Sequence, residues 1–243
     1  GKAENVVLNN GKKIPADLVI CNADPPTVYS EMLPSEYSRD SLLKPKKFTH
    51  YSMGLYVLFF GSKKKFSDVA HHTIWMSERY KELLHDIFEK KILTEDFSLY
   101  LHRPTATDDT FAPEGCDSFY VLCPVPNLQG NVQWNSEGPK LKDRIVEALD
   151  KTIMPGLKEN IEAEFWMTPE DFKNDYRSKY GAGFSVAPIF SQSAWFRYHN
   201  KDKKIPNLYF SAAGSHPGAG IPGVLCSAKV IEKLIIKDFK VSH

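Results

Sequence analysis

The chain has 243 residues, 42% of them hydrophobic and 25% charged, which suits one large globular domain or two modest ones. A net charge of +1 gives bulk electrostatics no case for nucleic acid as a partner. No apolar run approaches the ~18 residues that a membrane-spanning helix needs.

Residues 1–20 alternate polar and apolar, the pattern of strands rather than of a secretory leader. Asn5–Leu8 and Ala16–Cys21 read as strands around a turn at Asn10-Gly11. With no initiator Met and a start in mid-hairpin, the sequence is expected to begin inside a longer protein. The second strand stops at Asn22-Ala23-Asp24, and Pro25-Pro26 then opens a helix or loop. Residues 27–50 are polar with scattered apolar positions, which suits short helices. Leu55–Phe60 is apolar on both faces, so it is expected at the centre of a sheet or along a pocket. Ser77 is expected to cap a helix carrying Tyr80, Leu83, Leu84, Ile87 and Phe88 at helical spacing. Phe97–Leu101 and Ser118–Cys123 read as strands joined by a long polar loop. Pro139 is expected to start a helix with Leu141, Ile145, Ala148 and Leu149 on its buried face, and Pro155-Gly156 to stop it. Ile161–Met167 reads as a strand. Thr168-Pro169-Glu170-Asp171 is a helix start: a cap, a proline at the first position, then acids at the positive pole.

The end of the chain differs in character. Asn207–Ala213 reads as a short apolar strand. Gly214-Ser215-His216-Pro217-Gly218-Ala219-Gly220-Ile221-Pro222-Gly223 follows, and Val224–Asp238 is expected to be a helix. Strand, glycine-rich turn and helix present backbone N–H groups to an anion. Gly218 to Gly223 matches G-x-G-x-x-G, which alone is weak evidence. A first dinucleotide fingerprint needs a second strand after the helix, with an acid about 20 residues on for the ribose. Too little sequence follows here, so the turn is expected to complete a nucleotide site begun elsewhere. The glycines would let backbone approach a bulky ligand, the prolines would stiffen the turn, and the helix start would favour negative charge. A strand–helix turn rich in glycine only for packing is the alternative.

The run Ala212 to Val224 resembles the C-terminal flavin motif of the bacterial- and fungal-type phytoene desaturase family. Three further stretches resemble that family in order. They are Ala112-Pro113-Glu114-Gly115-Cys116 with Val121 to Pro126, Glu137-Gly138-Pro139-Lys140-Leu141, and Gln192-Ser193-Ala194-Trp195-Phe196-Arg197. Asn22-Ala23-Asp24 resembles its strand-end turn back to the nucleotide domain. The resemblance implies an α/β fold of the amine oxidase-like kind, with mixed α+β character. The C-terminal part of an FAD/NAD(P)-binding Rossmann-like domain would flank a mixed-sheet substrate-binding domain. Residues 1–27 and 186–243 would belong to the first and 28–185 to the second. It further implies FAD as hydride acceptor, with Gly214, Ser215, His216, Gly220, Ile221, Pro222, Gly223 and Val224 facing it. The implied substrate is a polyene hydrocarbon such as phytoene, with quinone or oxygen as a second acceptor. A cytoplasmic protein attached peripherally to a membrane surface would meet such a substrate. The family's N-terminal fingerprint, which holds the ADP half, is absent, so this chain alone is expected to bind FAD poorly and to be inactive. A retinol saturase-like or carotene isomerase-like enzyme, or a catalytically silent fragment binding an apolar ligand, remains open.

Single residues carry rival readings. His216 either polarises a flavin and assists proton removal or hydrogen-bonds its loop. His71 and His72 form a surface pair or bind a metal. Arg103 and Asp108 line a channel or sit on a solvated loop. Trp195, Phe196 and Tyr198 wall a tunnel or pack in the core. Lys44, Lys46 and Lys47, and Lys63 to Lys65, are solvated turns or meet anionic lipid. Cys21, Cys116, Cys123 and Cys226 have no zinc spacing and read as reduced, mostly buried thiols.

Overall fold

Alternating and helical spacings translate into nine strands and six α-helices in a computed structural model that describes residues 1–37 and 49–240. The strands are β1 (Asn5–Val7), β2 (Lys13–Pro15), β3 (Val19–Cys21), β4 (Gly54–Ser62), β5 (His72–Trp75), β6 (Leu99–His102), β7 (Asp117–Val125), β8 (Ile161–Met167) and β9 (Leu208–Phe210). The helices are α1 (Pro25–Thr27), α2 (Tyr80–His85), α3 (Trp134–Lys151), α4 (Leu157–Asn160), α5 (Pro169–Asp175) and α6 (Ile221–Phe239). They form two compact units, one of Gly1–Ser52, Tyr176–Lys179 and Phe184–His243, the other of Met53–Asp175 and Tyr180–Gly183.

The second unit is built on an antiparallel sheet in the order β5-β6-β7-β4-β8. β4 lies between β7 and β8, the interior place its two-sided apolar sequence predicts. One face of the sheet is core. Tyr56, Leu58 and Phe60 of β4, Leu99 and Leu101 of β6 and Phe119, Val121 and Cys123 of β7 pack there with Leu141, Ile145 and Leu149 of α3. The α3 helix starts at Trp134, one turn before the predicted start at Pro139. Trp134 is buried and stacks near Tyr56, and this anchorage sets Pro139 inside the helix, where it leaves the Asn135 carbonyl without its usual partner. The Tyr56 hydroxyl donates to the Gly138 carbonyl at 2.9 Å. The predicted start of α5 is confirmed: the Thr168 N–H donates to Asp171 at 2.6 Å beside Pro169. The helix starts later than expected: Arg79 takes the cap position of α2, and Ser77, two residues ahead of it, accepts the Arg79 N–H at 3.1 Å.

In the first unit, β1 and β2 pair across Asn10-Gly11 as expected, but the partner strand begins at Lys13. The predicted strand 16–21 splits. Only Val19–Cys21 is extended, and it runs parallel to β9, with Val19 opposite Leu208 and Cys21 opposite Phe210. Val28, Tyr29, Ile205, Leu208 and Phe210 form this unit's core. The Tyr29 hydroxyl donates to Asp202 at 2.6 Å. The α6 helix begins at Ile221 rather than Val224, because Pro222 already has a helical φ in the first turn.

Cys123 is buried, and burial pushes its thiol up to about 12. Cys226 is exposed and Cys21 and Cys116 are half-buried, so the expectation of mostly buried thiols holds for Cys123 alone. Among the described residues no helix is long and apolar enough to cross a membrane. The Lys44 to Lys47 cluster lies outside the described residues. Lys64 donates to the Pro155 carbonyl at 2.6 Å and Lys65 pairs with Asp109 at 3.3 Å, so these two lysines brace surface turns.

Candidate functional site

The glycine-rich turn leaves β9 through Ser211 and is fixed from below. Ser215 is fully buried. Its hydroxyl donates to the Ala212 carbonyl at 2.8 Å and accepts the Ala212 N–H at 3.0 Å. The Ser211 and Ser227 hydroxyls meet at 2.9 Å, tying the turn to α6. Arg197, also buried, aims its guanidinium at backbone oxygens: Ala213 at 2.8 and 3.1 Å and Phe184 at 3.1 Å. Asn200 donates to the His216 carbonyl at 2.8 Å, and the His216 N–H donates to Tyr198 at 2.8 Å.

Under the turn lies Asp24, hydrogen-bonded to the Ser185 hydroxyl. Burial pushes its carboxyl up to about 6, against opposing pulls from Ser185, the Lys179 backbone and the Arg197 and Lys179 charges. Ser185 sits at φ 63°, left-handed for a residue with a side chain. A Cβ on Gly214 would stand 2.6 Å from Ser185 Oγ, 2.7 Å from Asp24 Oδ1 and 2.8 Å from Pro25 Cδ. Glycine at 214 is therefore dictated by packing inside the unit.

The far end of the turn is open. Gly220 has φ 88° and ψ 152°, a region reserved to glycine, and a Cβ there would meet nothing within 4 Å among the described residues. Gly220 and Pro222 are exposed, Ile221 is 78% exposed, and Gly223 and Val224 are half-buried. The first N–H groups of α6 lack intrahelical partners and carry partial positive charge. His216 is half-buried, its Nδ1 has no hydrogen-bond partner, and Trp195 lies edge-on 6.1 Å away. The sequence candidates thus divide: Gly214 and Ser215 build the turn from within, while His216 and Gly220 to Val224 line its outer end.

Fixing the turn falls to residues that sequence reading did not single out as site residues, namely Arg197, Asp24, Ser185 and Asn200. The strand-end Asn22-Ala23-Asp24 was their visible signal. Trp195 is 68% and Phe196 60% exposed, so core packing is not their role; Tyr198 does pack against the unit's core.

In the other unit, the sheet face opposite the core carries a row of rings. His72 of β5 pairs across the ladder with His102 of β6, His102 with Tyr120 of β7, Tyr120 with Phe59 of β4, and Phe59 with Phe165 of β8. Successive ring centroids are 5.2, 4.7, 5.9 and 4.6 Å apart. The row crosses all five strands, and Phe165 is 59% exposed. Burial, reinforced by Tyr100, pushes the Tyr120 hydroxyl up to about 12, so it stays neutral. Arg103 lies elsewhere. It is buried against Asp117 at 3.1 Å and lines no solvated loop, whereas exposed Asp108 caps the Thr110 N–H at 2.9 Å.

Residues 2–230 match the family described as flavin containing amine oxidoreductase. The chain is 45% identical over 241 residues to a lycopene-forming phytoene desaturase of Pantoea ananas, covering 98% of this chain and 48% of that protein. It is 44% identical to a neurosporene-forming phytoene desaturase of Rhodobacter capsulatus, covering 97% of this chain and 46% of that protein. The chain therefore spans about half the length of these curated relatives. A solved oxidoreductase from Methanosarcina mazei superimposes with a TM-score of 0.54 at 15% identity, covering 95% of this chain and 46% of that one; the likeness is one of fold.

Proposed function

Because this chain belongs to the flavin containing amine oxidoreductase family, we propose that it serves FAD-dependent desaturation of a polyene hydrocarbon such as phytoene. The observation that carries the reading is the open end of the turn at Gly220. Backbone there is shaped for close approach, has no side chain in the way and leads into a helix start. A flat ligand rich in oxygen and nitrogen fits this end, and the unpartnered His216 Nδ1 offers it one hydrogen bond. When bound, FAD supplies two-electron acceptor chemistry for removing hydrogen from a carbon beside a double bond.

In this reading His216 and Gly220 to Val224 hold the flavin, while Arg197, Asn200 and Ser215 keep the turn in shape. The partial positive charge at the start of α6 favours negative charge on the ligand. The rings of Tyr120, Phe59 and Phe165 suit an extended apolar chain, since they give area and shape without charge. The relatives are named for phytoene, and that substrate partitions into lipid, so a cytoplasmic protein held peripherally at a membrane surface is part of the proposal.

The test uses full-length protein, FAD and liposomes loaded with phytoene, with quinone or oxygen supplied in separate arms. New conjugated absorption bands are expected in at least one arm. A bound, reducible flavin with no new bands in either arm would overturn the desaturase reading and favour a related polyene flavoenzyme.

A further inference from the structure

Three imidazoles gather where β5 meets β6, and the flavin reading makes no use of them as a group. His71 precedes β5, His72 begins it, and His102 ends β6 opposite His72. One ring nitrogen from each lies within 4.8 Å of those of the other two. His71 Nε2 and His102 Nε2 are 2.8 Å apart. The remaining nitrogens of two rings already have oxygen partners. His71 Nδ1 meets the Thr107 hydroxyl, and His72 Nδ1 lies 2.6 Å from the Tyr100 hydroxyl.

We propose that His71, His72 and His102 form a binding site for a divalent transition metal of the zinc class. Imidazole is the ligand type such ions share. With Nδ1–H donated to Thr107 and to Tyr100, His71 and His72 each present a bare Nε2 lone pair, the outer-sphere arrangement metal-binding histidines use. His102 ends β6 opposite His72 and brings its Nε2 to the same point as that of His71. Two lone pairs 2.8 Å apart repel unless a proton or a cation lies between them. A tetrahedral ion with bonds of about 2.0–2.1 Å sets its ligands about 3.3 Å apart. His71 stands outside the strand and half-exposed, so a small rotation of its ring supplies the difference. His72 is exposed, which leaves an entry path, and three protein ligands leave a fourth position for water or another small donor.

Full-length protein purified without a polyhistidine tag is titrated with zinc alone by calorimetry, with metal content checked by mass spectrometry. One zinc per chain in the micromolar range or tighter is expected. His71→Ala and His102→Gln should each weaken binding at least tenfold. Tyr100→Phe should weaken it less, through the orientation of His72. Cobalt in place of zinc should give the visible absorption of a tetrahedral site, which His71→Ala abolishes. His71 is not buried, so circular dichroism should show that variant folded even if His102→Gln is not. Failure to bind stoichiometric zinc, or unchanged zinc affinity in folded His71→Ala, overturns the proposal. Flavin content and polyene conversion are measured separately, so the two readings fail independently.

Discussion

Replacing Asp24 by Asn tests the electrostatics beneath the glycine turn. The Asp24 carboxyl titrates at about 6 in the folded chain against an ordinary 3.8, chiefly because it is buried. An acid with a raised folded value binds its proton more tightly when folded. Well below pH 4 it is neutral in both states and carries no penalty. Between pH 4 and 6 the unfolded chain gives up the proton first, so stability falls as pH rises through this window. Above it the penalty levels off at roughly 3 kcal/mol, the worth of about two pH units. Asp24→Asn cannot ionise and lacks this slope. The Ser185 hydrogen bond and the Arg197 attraction favour the ionised carboxyl, and both are already contained in the value of about 6. Urea denaturation of both proteins at pH 4, 5, 6 and 8 should therefore show the difference in stability moving by roughly 2–2.5 kcal/mol in favour of Asp24→Asn as pH rises. A separation constant to within about 0.5 kcal/mol would refute the account of a carboxyl held up by burial.

Two further outcomes follow from contacts in each unit. Asp117 accepts from Arg103 Nε at 3.1 Å, the Phe66 N–H at 2.6 Å and the Thr105 hydroxyl at 2.7 Å, all buried. Asp117→Ala should cost the sheet unit about 3–5 kcal/mol by stranding the guanidinium, read as a lower urea midpoint; a loss under about 1 kcal/mol would contradict this. In Gly220→Val the added Cβ meets nothing within 4 Å among the described residues, but the side chain stands where only glycine is at ease, a strain of about 1–3 kcal/mol. Flavin bound per full-length polypeptide should fall severalfold, and unchanged flavin content would remove Gly220 from the proposed ligand surface.

Local chemistry made part of the structure legible. Asn10-Gly11 announces the hairpin, the Thr168–Asp171 box announces α5, and Leu55–Phe60 announces an interior strand because both its faces are apolar. The start of α3 was hidden, because burial of Trp134 overrode the proline signal at Pro139. The split of residues 16–21 was hidden too, since Val19–Cys21 is defined by a partner near the other end of the sequence. At the site, the turn itself could be read from its glycines and prolines. The Arg197 clamp could not, because an arginine directed at backbone carbonyls leaves no spacing pattern. The ring row had a partial signal in the alternation Leu99-Tyr100-Leu101-His102, but its crossing of five strands depends on register.

The pairing of β3 with β9 bears on the order in which the chain folds. Val19 and Leu208 are opposite one another, so that ladder closes a loop of 189 residues. Closing so long a flexible loop costs about 4–5 kcal/mol of chain entropy before any contact rewards it. The sheet unit between them closes shorter loops of its own, β5 to β6 and β6 to β7 first, and its Gly54–Ala182 bridge draws its own two ends together. Once that unit has formed, the loop still to be closed shrinks to about 60 residues, easing closure by about 1 kcal/mol, or roughly fivefold in rate. The chain is thus arranged to assemble from the inside outward, and the glycine-rich turn just after β9 takes shape last.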